Sequence, residues 1–234
     1  MTAPTSDDAL RIYRTPDEVA AEVEKHMKDH PVAKTLQKDP RWKELRPHLR
    51  YPEKHKQHSL TAGALAGPGK FPVPPLIYVD EKNLVELVYV GTDMCGHVGV
   101  VHGGLVATIL DEGLAWCGFG SLPNRIGMTA YLNINYKKPV PAGSYLVLRA
   151  ETTKSERRKV WVKGTIQALD KDGKAENEVL VEAEALYIEP KWVKVRLQTT
   201  NRFGTLLKLC TGDTEISVAQ HAVITRYERF RFNI

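Results

Sequence analysis

An α+β fold, with one buried helix wrapped by an antiparallel sheet, is predicted by three observations. The run from Gly103 to Cys117 is apolar nearly all round, which marks a buried helix and not a surface one. The segments after it alternate apolar and polar residues with the period of a strand. Asp170-Lys171-Asp172-Gly173 then reads as a hairpin turn between two of them. One apolar helix beside several such strands buries its whole surface only if the sheet encloses it.

The elements follow in order. Thr15-Pro16-Asp17-Glu18 is a helix start, with Thr15 as cap and Pro16 in the first turn. Val19, Val23 and Met27 give that helix a thin apolar stripe. A second short helix is expected at 42–45. The Gly-, Pro- and His-rich stretch 51–75 reads as an extended linker that lays the N-terminal helices against the body. A strand is expected at 84–90, a loop at 91–101, the central helix at 103–117, and strands at 126–136, 145–153, 158–169 and 179–188. On the first of these four, Ala130, Leu132, Ile134 and Tyr136 share one face, while Thr129, Asn133 and Asn135 share the other. The domain organisation is a helical extension with linker at 1–75, a body at 76–190 and a basic tail at 191–234.

Composition excludes several function classes. The 234 residues, 42% of them hydrophobic, suffice for a core. Residues 191–234 hold eight Lys and Arg against three acids, an excess equal to the +5 of the whole chain. The body is therefore close to neutral, it has no basic aromatic platform, and nucleic acid is not an expected partner. The tail is either a loose extension or, through Ile216 to Ile224, an element docked on the body. No apolar run is long enough to span a bilayer. Cys95, Cys117 and Cys210 show neither metal spacing nor an even count, which suits a reducing compartment. Asp7, Asp8, Asp17, Glu18, Glu22 and Glu24 argue against an import presequence, so a cytoplasmic location is expected in preference to a mitochondrial one. His48, His55 and His58 lack ligand spacing, and neither a metal nor a cofactor is assigned.

The chemistry concentrates between His102 and Pro139. The first amides of a helix lack intrahelical partners, and Gly103 and Gly104 leave them open to a ligand oxygen, an oxyanion site. The alternative is a tight turn that needs glycine for its backbone angles. Asp111 stands in L-V-A-T-I-L-D-E-G-L-A-W-C, where a carboxylate is costly unless it is paired or working. The alternative there is an aspartate bonded to a neighbouring loop. Glu112 is read as a solvated helix residue, and Cys117 as packing. His102 is read as a positioning residue, with the neighbouring amides polarising the carbonyl. Gly104 and Asp111 lie on one helix face, about 10 Å apart along the axis, too far for one carbonyl to touch both. Two antiparallel copies of the helix would bring Gly104 of one beside Asp111 of the other, which favours a site shared across a two-fold homodimer.

The motifs H-G-G-x6-D and M-T-A-Y-L-N-I-N-Y-K-K-P resemble those of the hotdog-fold acyl-CoA thioesterases, nearest the thioesterase-superfamily-member (PaaI-like) branch, over about residues 76–190. The resemblance implies an antiparallel sheet around one long central helix and hydrolysis of an acyl thioester in lipid metabolism. It implies that Asp111 activates or orients water, that Thr129 helps place that water, and that His102, Gly103 and Gly104 polarise the thioester. A CoA tail or an acidic acyl carrier protein would require cations. The candidates are Lys137 and Lys138 after the strand and Arg157, Arg158 and Lys159 at a hairpin, with Asn133 as a further substrate contact. The Trp116–Phe119 region either shapes an acyl pocket or belongs to the core. Two other classes stay open: release or dehydration of a carrier-bound chain, and a non-catalytic acyl-thioester-binding module. The sequence leaves acyl length and the choice between dimer and tetramer undetermined.

Overall fold

The computed structural model describes residues 16–50, 53–169 and 175–192. The expected Thr15 cap, the hairpin turn at 170–173 and the tail from 193 onward lie outside them.

Helix α1 (Pro16–Asp29) and helix α2 (Pro31–Gln37) come first, followed by strand β1 (Lys43–Leu45). A 3-10 turn (Pro47–Arg50), a short helix α3 (Glu53–Lys56) and a π-helical turn (Leu60–Ala64) lead to β2 (Leu76–Val79) and β3 (Asn83–Val90). A small hairpin, β4 (Cys95–His97) and β5 (Val100–Val101), precedes the long helix α4 (Gly103–Phe119). The chain then forms β6 (Met128–Tyr136), β7 (Ser144–Glu156), β8 (Lys159–Leu169) and β9 (Ala175–Ile188). Seven strands make one sheet in the order β1-β2-β3-β7-β8-β9-β6, every pair antiparallel. This is the α+β hotdog arrangement that the sequence implies.

The sheet has a core on each face. On the inner face Leu84, Val88, Leu146, Leu148, Val160, Val162, Ile166 and Tyr187 enclose the buried side of α4. The alternate residues of β2, β3 and β7, including Tyr78, Val85, Leu87 and Val147, pack under Val23 and Met27 of α1 and Ala33 of α2. The period-2 alternation thus sends one set of side chains to the central helix and the other to the N-terminal helices. Trp42 to Leu45 is a strand and its approach, where a helix was expected. Its backbone pairs with β2 and Leu45 reaches the core, gains that a one-turn helix does not supply. The stretch 51–75 is not simply extended either. Ser59 accepts a hydrogen bond from the Ala62 amide and starts the π-helical turn.

Helix α4 lies unusually close to the sheet. A Cβ at Gly113 would overlap Leu148, one at Gly118 would fall 2.7 Å from Val162, and one at Gly164 of β8 would fall 2.7 Å from Leu114. Gly113→Ala is therefore expected to lower stability by roughly 1–3 kcal/mol through overpacking, readable as a lower urea midpoint with unchanged slope. A variant as stable as the parent would show that the helix can lift off the sheet at no cost.

Candidate active site

Edge strand β6 lies beside the open flank of α4 and runs antiparallel to it. Near its start the Thr129 hydroxyl donates to Asp111 Oδ1 at 2.8 Å. At its end the Tyr136 hydroxyl donates to the Gly103 carbonyl at 2.8 Å. Strict alternation places Thr129 on the face opposite Tyr136, with Asn133. The structure reverses this: Thr129 pairs with Tyr187 and Tyr131 with Leu186, so Ala130 is an extra residue in the strand. That bulge shifts the phase by one, turns Thr129 toward the helix and leaves Asn133 on the outer face.

Asp111 is half-buried. Burial, and secondarily the charge of Glu112, raise its pKa above the ordinary aspartate range, while the Thr129 hydrogen bond lowers it. The Tyr187 hydroxyl donates to the backbone carbonyl of Asp111 at 2.8 Å and fixes that turn of the helix. No hydrogen bond is made to Asp111 Oδ2 among the described residues. The Thr129 hydroxyl thus holds the carboxylate directly.

At the start of α4, His102 Nδ1 accepts the Gly104 amide at 2.9 Å, so the imidazole is the helix N-cap. A neutral ring that accepts at Nδ1 carries its proton at Nε2. The peptide joining Gly103 to Gly104 is held at both ends, its N–H by His102 and its carbonyl by Tyr136. This corrects the choice of Gly104 as the polarising amide, because that N–H is already used. The first helical amide, that of Gly103, has no hydrogen-bond partner among the described residues. A Cβ at Gly103 would meet nothing nearer than Tyr136 Oη at 3.7 Å. Gly103 and Asp111 are eight residues apart, roughly 12 Å along the axis.

The expected substrate contacts separate. Asn133 lines a polar groove of about 710 Å³ on the outer face of the sheet, with Arg149, Lys163, Glu182 and Glu184, away from Asp111. Lys137 is ion-paired with Glu182 and Lys138 with Glu178, both acids on neighbouring β9. The Arg158 guanidinium donates to the Glu189 carbonyl at 2.7 Å and braces the chain after β9. Arg157 and Lys159 make no ion pair among the described residues and line an open groove of about 530 Å³ with Glu156 and Arg158. Trp116 and Phe119 border a cavity of only about 60 Å³ with Leu45 and Val79, and Phe119 packs edge-on to Tyr187.

Two residues around α4 escaped the sequence reading, and a third, Glu112, has partners it did not expect. Tyr187 is the lone hydroxyl in the apolar end of β9, and a buried tyrosine needs an acceptor. Glu86 interrupts L-V-E-L-V, a signal of the same kind that singled out Asp111. It is 4% exposed, and its Oε2 has no hydrogen-bond partner among the described residues. Glu112 is not simply solvated: Thr61 Oγ1 donates to it at 2.7 Å and His48 Nε2 lies 3.3 Å away.

Fold and site together define a class, and the comparisons agree with it. Residues 98–175 match the thioesterase superfamily, and the chain belongs to that superfamily, in its hotdog form. A Candida albicans protein named "Uncharacterized protein, mitochondrial" is 35% identical over 164 residues, covering 69% of this chain and 73% of the relative. Mouse acyl-coenzyme A thioesterase THEM4 is 40% identical over 109 residues, but those span 47% of this chain and 44% of THEM4. "MIOREX complex component 3" of Saccharomyces cerevisiae is 26% identical over 165 residues, 61% of each chain.

These relatives correct the cytoplasmic expectation, since the Candida protein carries a mitochondrial name. Three of the acids that supported that expectation have a structural use. Asp17 and Glu18 occupy the first turn of α1, and Glu24 pairs with Lys28 and Arg46. Among the described residues, no helix is long and apolar enough to cross a membrane.

Glu86 generates a stability prediction. Burial first, then the charge of Glu112, pushes its pKa up to about 8 from an ordinary 4.5. A carboxyl raised on folding contributes its full stability below the unfolded value and loses it as pH climbs to the folded one. Glu86→Gln is neutral throughout. Its stability relative to the parent should therefore grow between pH 5 and pH 8, by roughly 2–4 kcal/mol, in urea melts at the two pH values. A gap independent of pH would mean that Glu86 is ionised in the fold.

Proposed function

We propose that the chain hydrolyses acyl thioesters, acyl-CoA foremost, at a site shared by two copies. Superfamily membership supports thioester hydrolysis, and the acyl-coenzyme A thioesterase name of the mouse relative supports CoA as the carrier. The observation that carries the reading is the Thr129–Asp111 hydrogen bond, built by a strand bulge beside a half-buried carboxylate. Thr129 holds Oδ1, and Oδ2 takes a proton from water as that water attacks the thioester carbonyl. The developing oxyanion is met by the Gly103 amide at the positive end of α4. The leaving thiolate takes the proton back from Asp111. The separation of about 12 Å between Gly103 and Asp111 on one helix supports a dimer in which each site takes the amide from one copy and the acid from the other. Met128 and Tyr136, 57% and 49% exposed on edge strand β6, fit a surface that a second copy covers.

Arg157 and Lys159, with no ion pair of their own, are the cations assigned to the CoA phosphates. Lys137 and Lys138 serve the sheet instead. The mitochondrial name of the Candida relative supports a mitochondrial setting for this activity. The described body, with the N-terminal helices on its outer face, is taken as the catalytic unit, and the segment from 193 onward as separate from it.

Release of thiol from a panel of straight-chain acyl-CoAs tests the reading. Asp111→Asn should lower turnover by roughly 10²-fold or more while the fold survives. Near-full activity in this variant would end the assignment. Thr129→Val should lower turnover by about tenfold. It also removes the bond that favours the ionised acid, so the acid limb of kcat/KM, where activity falls as Asp111 gains a proton, should move to higher pH.

A mixing experiment tests the shared site. Gly103→Val obstructs the amide in space that is otherwise open, and Asp111→Asn removes the base. Each variant alone should be inactive, while heterodimers should regain up to about half of the parental activity per dimer, because one of two sites is whole. Heterodimers shown to form but inactive would place each site within a single chain.

A further inference from the structure

The groove of about 710 Å³ on the outer face of the sheet has no part in the proposed hydrolysis. Its volume lies within the range of about 300–1,000 Å³ usual for small-molecule sites. A row of cross-strand partners forms its floor: Arg149 on β7, Thr165 on β8, Glu182 on β9 and Asn135 on β6. Opposed residues of neighbouring strands face the same side, about 5 Å apart. A parallel row two residues along carries Glu151, Lys163 and Glu184. Leu148, next to Arg149 in the chain, packs in the inner core around α4, so Arg149 points away from the helix and from Asp111.

The charges in the groove are unevenly matched. Glu182 is ion-paired with Lys137. Glu184 accepts the Tyr131 hydroxyl at 3.0 Å and lies 3.4 Å from Lys163. Arg149 differs from both. It is half-buried, and its guanidinium makes neither a hydrogen bond nor an ion pair among the described residues. The register explains why. Its partner on β3 is Val85, buried under the N-terminal helices, and its partner on β8 is Thr165, so no acid stands opposite it. Glu151 is two residues further along β7, about 7 Å by strand rise, and is exposed without an ion pair among the described residues. A guanidinium keeps its charge at any accessible pH and presents five donors in a planar fork. Drawn partly out of water, it is best satisfied by a carboxylate or a phosphate. The side chains of Thr165 and Asn135 also make no hydrogen bond among the described residues, which adds a hydroxyl and a carboxamide to the same row.

We propose that this groove is a second ligand site, which takes a small polar molecule with one oxyanion head, a carboxylate or a phosphate, on Arg149. The Thr165 hydroxyl, directly across the strand pair, donates to the same head, and the Lys163 ammonium stands diagonal to it. Hydroxyl or amide groups of the ligand extend along the row to Asn135, past Glu182, whose charge Lys137 offsets. Arg149 and Asn135 are three strand spacings apart, about 14 Å, which suits a molecule of metabolite size. The acids also set the charge. Glu151, Glu182 and Glu184 repel a chain of phosphates, so a single anionic head fits where a polyanion does not.

The test is thermal unfolding of the full chain at constant ionic strength, with chloride exchanged for inorganic phosphate in one series and for malonate in another. A ligand of the native state raises Tm along a saturating curve. Exclusion of phosphate from the surface gives a rise without saturation, equal in every variant. A saturating rise is expected with at least one anion, and the anion that saturates at lower concentration identifies the head as phosphate or carboxylate. Arg149→Gln should weaken that binding by about ten- to a hundredfold, and Thr165→Val by about three- to tenfold. Arg157→Gln combined with Lys159→Gln removes the cations assigned to CoA and should leave the curve unchanged. No saturating rise with either anion, or the same curve in Arg149→Gln as in the parent, overturns the proposal. A rise lost with Arg157 and Lys159 but kept in Arg149→Gln overturns it too. If Arg149→Gln does not fold, a parental curve in Thr165→Val overturns it. An Arg149→Gln chain that forms a smaller assembly than the parent, with neither anion acting on either, would make this face a contact between copies and overturn it as well. Each of these failures leaves the reading of Asp111 untouched, because that reading is tested by thiol release in Asp111→Asn.

Discussion

The close seat of the central helix on the sheet governs the geometry around it. Gly113 and Gly118 on the helix and Gly164 on β8 remove the side chains that would hold the two layers apart, and Leu148, Val162 and Leu114 fill the contacts. With the helix this close, the Tyr187 hydroxyl reaches the backbone of Asp111 from β9, and the hydroxyls of β6 reach the helix at both Asp111 and Gly103. A helix lifted by a methyl group would lengthen each of these bonds together. Packing density and site geometry are one constraint here.

The central helix and most of the sheet were legible because burial writes a simple pattern. Residues 103–117 read as apolar all round, and the helix runs Gly103–Phe119. The strands at 84–90 and after 126 were visible as alternation. β2 was not, because its four residues are all buried and do not alternate. The bulge at Ala130 was hidden for a related reason: a one-residue insertion changes the phase of a strand without changing its composition. The alternation therefore put Thr129 with Asn133, and the structure puts it with Tyr136. The motif resemblance assigned Thr129 to the site where the periodicity assigned it elsewhere.

Partnerships between distant segments were the least legible. Lys137 and Lys138 look like free cations until the register of β6 on β9 sets Glu182 and Glu178 beside them. Gly104 looks like an open amide until the ring of His102 closes on it. Glu112 looks solvated until the stretch read as a linker folds back with Thr61 and His48. In each case the residue type was noticed and its partner lay in a contact that spacing does not encode. The acids illustrate the cost of this. Asp111, Glu112 and Glu86 share one chemical group and differ in donors and burial, neither of which spacing encodes.

The N-terminal helices have a consequence for growth into larger assemblies. By lying on β2, β3 and β7 they turn half of the outer sheet face into interior, and the remaining half is a polar groove crossed by charged rows from β7, β8 and β9. Two sheets cannot stack back to back through a face that is already occupied, nor close a dry layer over one that carries Arg149, Lys163 and Glu184. Among the described residues, the edge strand β6 still offers unpaired backbone. The N-terminal helices are thus a cover for the core and, by the same contacts, an obstacle to stacking through that face.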